Sequence, residues 1–96
     1  MIKVTQEKAN EVVRLHGLWL KDKATGKRAD FSGKNLSGLN FSDINLSFAN
    51  LSNTDLSFTD FRRTNLSGAN LSFVKLGSAI LGTANLTRTI LDNSTI

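Results

Sequence analysis

The chain has 96 residues, 40% of them apolar and 21% charged, with a formal net charge of +4 and neither cysteine nor proline. That length supports one domain, whose buried core stays modest unless the architecture is unusually regular. The absence of cysteine excludes disulfides and thiolate metal sites.

Taken in chain order, the first residues, Met1 to Glu7, lack the apolar core of a signal peptide. No stretch approaches the roughly 20 apolar residues that cross a bilayer, so a cytoplasmic protein without membrane contact is the expectation. Residues 5–23 read as an amphipathic helix with Thr5 as N-cap, Val4 and Ala9 as a hydrophobic staple, and Gln6 and Glu7 in the first turn. Its apolar stripe is Ala9, Val12, Val13, Leu15, His16, Trp19 and Leu20, spaced by threes and fours. A lone His16 without a second ligand nearby makes no metal site; packing or solvent exposure is its ordinary fate. Gly26 marks a turn out of the helix. Residues 1–28 hold seven Lys or Arg against three Asp or Glu, and so carry the whole +4, while residues 29–96 hold five of each and are neutral. Lys21, Lys23, Lys27 and Arg28 form a loose basic cluster. Without interleaved aromatics or a groove-reading motif, it reads as a solvated linker rather than a phosphate site.

From Phe31 the chain has a period of five. Phe31, Leu36, Phe41, Leu46, Leu51, Leu56, Phe61, Leu66, Leu71, Leu76, Leu81, Leu86, Leu91 and Ile96 are all large and apolar. The residue before each of these centres is Asn or Asp without a break from Asp30 to Asn70. The residue two before is small or β-branched from Ala49 onward. A period of five fits neither a helix nor a flat strand; it fits a chain that turns a corner every five residues. The centre and the residue two before it point inward, and the Asn, Asp, Ser and Gly positions face water or form corners. Missing proline suits a chain whose N–H groups pair with the coil above or below.

The runs Ala49-Asn50-Leu51, Ala69-Asn70-Leu71 and Ala84-Asn85-Leu86 resemble the Ala-(Asp/Asn)-Leu-X-X pattern of the pentapeptide-repeat family, over residues 29–96. The resemblance implies an all-β solenoid, a right-handed quadrilateral β-helix with four repeats per coil, here with an N-terminal capping α-helix. Residues 1–28 are then an amphipathic capping helix and linker, and residues 29–96 a repeat body of about 3.4 coils, roughly 16 Å long at the spacing of paired strands. Every twentieth residue stacks, so that Phe41, Phe61 and Leu81, for example, form one internal column. The bulky Leu39 and Ile44 are expected to pack against the helix, and Lys34 to lie at a rim. The repeat degrades toward the C-terminal end, where Ile80 and Ile90 replace outward Asn or Asp. With no cover there, Ile80, Leu81, Leu86, Ile90, Leu91 and Ile96 form a candidate interface for a two-fold, end-to-end homodimer, an assembly common in the family.

Candidate contact residues for a protein partner are Phe48, Phe58 and Phe73, at outward corners, together with Arg62 and Arg63 at mid-rod. The alternative for the phenylalanines is scattered surface packing, since Phe48 and Phe58 fall on opposite faces. Arg62 and Arg63 could pair with Asp43 or Asp60. No His or Lys is placed to activate any serine, and the carboxylates are scattered, so neither an enzyme nor a bound cofactor is expected. Three functions follow. The first is a non-enzymatic interaction module, a rigid rod that binds an unidentified protein, as an inhibitor of a bacterial host protein for instance. The second, implied by the resemblance, is imitation of duplex DNA at a type II topoisomerase such as gyrase, which the short neutral rod disfavours. The third is weak nucleic-acid binding through the basic N-terminal segment.

Overall fold

From Phe31 onward the backbone turns a corner every five residues, and the computed structural model, which describes all 96 residues, shows how. At most repeats the N–H three residues after a centre donates to the centre's carbonyl, as from Lys34 to Phe31 (3.2 Å) and from Ala69 to Leu66 (3.0 Å). The residue two after the centre has positive φ, between 56° and 74°, at every corner from Gly33 to Asn93 except Thr83. This is a type II turn, whose third residue must be left-handed. Thr83 departs because a β-branched side chain is the least tolerant of that conformation.

The Asn and Asp residues brace these corners. All ten that precede a centre accept, through Oδ1, the N–H of the residue two further on, at 2.8–3.0 Å. In six repeats the Ser or Thr hydroxyl at that next position donates to the same oxygen. The local bond fixes the corner and leaves the Asn main chain free for the neighbouring coil.

Ten parallel bridges join residues twenty apart, from Asp30–Asn50 to Lys75–Thr95, so one coil takes twenty residues, or four repeats. A side has room for few extended residues between corners. The ladder is therefore a stack of single bridges rather than of long strands. The centres from Phe31 to Leu71 are fully buried in one cluster. The expected twenty-residue columns are visible directly, Phe41 and Phe61 stacking with ring centroids 5.7 Å apart and planes 13° apart. Thr59 and Thr64, buried two residues before a centre, donate their hydroxyls to the carbonyls of Leu36 and Phe41 one coil below. No buried side-chain polar atom is left without a partner.

The N-terminal segment bonds to the first coil through its main chain and through side chains of its helix. Helix α1, Gln6–Lys21, is capped by Thr5, whose hydroxyl accepts the Lys8 N–H, and Val4 and Ala9 are both buried. Before it, the chain pairs with the coil as an added rung: Val4 N–H donates to Asn35 O (3.0 Å) and Asn35 N–H to Ile2 O (2.9 Å). The Lys3 ammonium bonds the Ser37 carbonyl alongside. On the next side the Gln6 side-chain amide imitates a peptide group, accepting the Asn40 N–H (2.8 Å) and donating to the Asn40 carbonyl (2.9 Å). On the last, His16 Nε2 donates to Ser47 O (2.8 Å), a carbonyl that the preceding coil would otherwise serve. Leu39 is buried and Ile44 half-buried against the same cluster, and Lys34 is half-buried. Gly26 lies so close on the last turns of α1 that a Cβ there would sit 2.2 Å from the Trp19 nitrogen and 2.4 Å from the Leu15 carbonyl oxygen.

Candidate interaction surfaces

The outward phenylalanines share the left-handed corner geometry of Asp43, Arg63, Ser78 and Arg88, and what sets them apart is an exposed aromatic ring. Phe48, Phe58 and Phe73 have φ of 65°, 61° and 59°, and their rings are exposed by 54%, 69% and 58%. Other coils place Gly33, Gly38, Asn53 or Gly68 at equivalent corners, residues that enter the left-handed region readily. Each phenylalanine thus holds an unfavourable backbone conformation and an unfavourable exposure together.

The twenty-residue register decides which of them meet. Gly33, Asn53, Phe73 and Asn93 share one corner column, and Gly38, Phe58 and Ser78 share the next. Phe73 and Phe58 therefore stand on the two edges of a single side, one coil apart, with the rungs Asn35, Asp55, Lys75 and Thr95 between them. Phe48 belongs to a different corner, above the basic N-terminal segment. Opposing Phe48 to Phe58 hides this pairing; following Phe73 through the register finds it.

The two central arginines are engaged with carboxylates. Arg62 bonds Asp60 in its own corner (2.7 Å), and Arg63 bonds Asp43 one coil below through Nε (2.6 Å) and a terminal nitrogen (2.9 Å). Their side-chain hydrogen bonds are the leading cause of the lowered carboxyl pKa of Asp60 and Asp43. Both arginines and Asp43 are more than half exposed and only Asp60 is shielded, so these pairs steady the corners rather than the fold.

At the C-terminal end Leu81 and Leu86 are half-buried, whereas Ile80, Ile90, Leu91 and Ile96 are exposed. The main-chain N–H groups of Leu81, Leu86 and Leu91, which lower coils direct at the coil above, have no acceptor here. Lys75, Ile80 and Ile90 also lack the carbonyl side chain that braces a corner.

His16 is the chain's one histidine, and both its ring nitrogens are taken: Nε2 by the Ser47 carbonyl and Nδ1 by the Ala29 N–H (2.9 Å). No group of three His, Asp or Glu side chains converges as a metal site would require. No helix is long and apolar enough to cross a membrane.

The family model for pentapeptide repeats matches residues 29–68 and 44–82, in eight copies, and the two ranges together span more than half of the chain. The chain belongs to the pentapeptide-repeat family. Its repeat body is accordingly a right-handed β-helix. No curated protein sequence matches the chain. Two solved structures are similar. HetL, a pentapeptide repeat protein involved in heterocyst differentiation regulation in the cyanobacterium Nostoc sp. strain PCC 7120, is 27% identical, with 72% of this chain and 39% of HetL covered and a TM-score of 0.43. Rfr23, a pentapeptide repeat protein of the cyanobacterium Cyanothece 51142, is 34% identical, with 71% of this chain and 56% of Rfr23 covered and a TM-score of 0.33. The pentapeptide-repeat chain described here thus spans about two-fifths to just over half of those proteins. Both TM-scores are low, so membership rests on the repeat match.

Proposed function

We propose that this pentapeptide-repeat protein is a non-enzymatic interaction module, a rigid rod of quadrilateral cross-section closed below by α1, whose side between Phe58 and Phe73 docks a protein. The observation that supports it is the pair of exposed aromatic rings held in left-handed corners on the two edges of one side. Large aromatic rings left exposed at surface corners are accounted for by binding and not by packing. Aromatic anchors over a polar side have the composition of a protein-docking patch. Such a rod acts by occupancy, blocking a site on its target as an inhibitor does, in the cytoplasm. Imitation of DNA finds no support in the outer surface: only four of the fourteen rung residues from Asp30 to Thr95 are charged, and Asp43 and Asp60 are neutralised by arginine.

A second copy is proposed at the opposite end from α1. There, exposed Ile80, Ile90, Leu91 and Ile96 adjoin unpaired main-chain N–H groups, and a two-fold contact would cover both in each subunit. Light scattering at micromolar concentration should then give twice the chain mass; the single-chain mass would remove this part of the reading. The docking side is tested by cross-linked capture from lysate with the wild type and with Phe58→Asn/Phe73→Asn. Asn fits the corner and removes the ring. A partner held by the wild type and lost by the variant is expected, and identical partners in both would sink the assignment.

A further inference from the structure

Phe48 is the corner phenylalanine that the Phe58–Phe73 side leaves out, and its surroundings are of another kind. Where α1 meets the coil there is a groove of about 400 Å³ lined by Trp19, Leu20, Lys23, Arg28, Phe48 and Gly68. Its walls are fixed in place. The Phe48 ring lies directly on Gly68: a Cβ at that residue would fall 2.6 Å from Cε1 and 2.7 Å from Cδ1. Gly68 is needed there for its φ of 69° and again for the room that the ring takes up. The Phe48 carbonyl accepts Arg28 Nε (2.6 Å), so the guanidinium is oriented by the same residue that supplies the wall. On the other side the Lys23 ammonium sits 5.3 Å from the centre of the Trp19 ring.

The polar character of the groove is one-sided. Beyond the Nε bond, the Arg28 guanidinium makes no side-chain hydrogen bond or ion pair. Lys23 pairs with no carboxylate, and no Asp or Glu lines the groove. One coil above Gly68, in the same corner column, stands Arg88. The groove therefore offers an apolar, aromatic floor edged by cations and by side-chain donors alone.

We propose that this groove binds an acidic segment of a partner protein, with an apolar side chain seated between Trp19 and Phe48 and flanking carboxylates on Lys23 and Arg28. An apolar side chain matches the floor, and carboxylates match the only charge present; Arg oriented in advance suits planar, paired recognition of a carboxylate. A nucleic acid matches less of it. A phosphate would use the cations and leave the aromatic floor idle, and a base edge, which presents donors as well as acceptors, would meet no side-chain acceptor. The inference rests on the reading of the chain as an interaction module, but not on the Phe58–Phe73 side.

Selection of a phage-displayed random peptide library on the full-length protein tests it. Binding of the selected peptides is read from the emission of Trp19, the chain's only tryptophan. Expected are sequences that combine Asp or Glu with a neighbouring Leu, Phe or Trp. Lys23→Glu should weaken them at least about tenfold, Phe48→Asn should weaken them as well, and Phe58→Asn/Phe73→Asn should leave them unchanged. Lys23 makes no hydrogen bond through its side chain, so this variant keeps the fold, which far-UV circular dichroism verifies. Peptides of any other composition, no enrichment, or acidic peptides that bind Lys23→Glu equally well would overturn the proposal. So would a short DNA duplex that moves the Trp19 emission at lower concentration than any selected peptide. Because the selection uses no native partner, its failure leaves the lysate capture on the Phe58–Phe73 side standing, and the reverse also holds.

Discussion

Acidification below the ordinary imidazole range should loosen the junction between α1 and the first coil. His16 is fully buried, and because Nδ1 accepts the Ala29 N–H, its one proton sits on Nε2, facing the Ser47 carbonyl. A second proton would have to go on Nδ1, setting a donor against a donor. Burial is the main cause that lowers its pKa below 6.5; the bond to Ser47 acts the other way, and the charge of Arg28 adds to the lowering. The unfolded chain therefore binds the proton first. Stability is full above about pH 6.5 and is lost as pH falls toward the depressed folded value, at no more than about 1.4 kcal/mol per pH unit. Between about pH 7.5 and 5.5 the loss is bounded at roughly 1.4 kcal/mol. Asp30 and Asp55 do not overlap this window. Their carboxyls are held below 3.8, chiefly by the Ser32 and Ser57 hydroxyls, and their contribution is lost only below that value. Urea unfolding followed by Trp19 fluorescence is a direct assay, since the indole stacks on the His16 ring with centroids 5.5 Å apart. Wild type should lose stability across the window, whereas His16→Gln, weaker at neutral pH, should be flat. Parallel profiles for the two proteins would refute the role given to His16.

Other substitutions probe the remaining parts of the fold. Gly26→Ala puts a methyl group into the backbone of α1, and so should undock the helix and cost more than about 2 kcal/mol in chemical unfolding. Phe58→Asn relieves a left-handed phenylalanine with an exposed ring; it should raise stability by about 1 kcal/mol while abolishing partner capture, whereas a loss of stability would show that the ring packs. Leu56→Ala empties a fully buried site in the second coil and should cost about 2–5 kcal/mol, and Leu86→Ala, at a half-buried site, clearly less. Arg63→Ala removes an exposed ion pair and should leave the melting temperature unchanged; a drop of several degrees would mean that the pair with Asp43 carries the coil contact.

The repeat was legible because each position in it obeys a separate local rule. Fourteen apolar centres mark the interior, and the ten Asn or Asp residues before them mark the braced corners. The internal columns follow once the period and the four-sided coil implied by the resemblance are combined, and the Phe41–Phe61 stack lies where that register places it. The underside of the first coil was legible only in outline. Amphipathic spacing identifies α1, but not that Ile2 to Val4 add a rung or that the Gln6 amide stands in for a peptide bond. Those contacts join residues 31 to 34 apart, the rung through main-chain bonds and Gln6 through its side chain, and no periodic signal carries them. The alternation of Ile2, Lys3 and Val4 is the one hint of a strand. His16 had a clearer sign: a histidine on the apolar stripe of a helix needs two partners once buried, and the unpaired edge of a first coil supplies them. The Phe58–Phe73 side was implicit in the period and needed only the corner columns to be followed as the core columns were.

Where the rod is firm and where it is loose bears on where it can bind. Each coil touches only its neighbours, so local stability depends on being covered from both ends. The first coil is covered from below by the added rung, Gln6, His16 and α1; the centres stay fully buried to Leu71, and exposure then rises through Leu81 to Leu91. Phe48 and Phe58 are in the first two coils and Phe73 at the start of the third, all below the loose end. Their rings are presented by backbone that is already fixed, which spares a partner the entropy of ordering them. The exposed isoleucines at the open end have no such support. A second copy docking there would order what it binds, and its association would stabilise the coils beneath it as well.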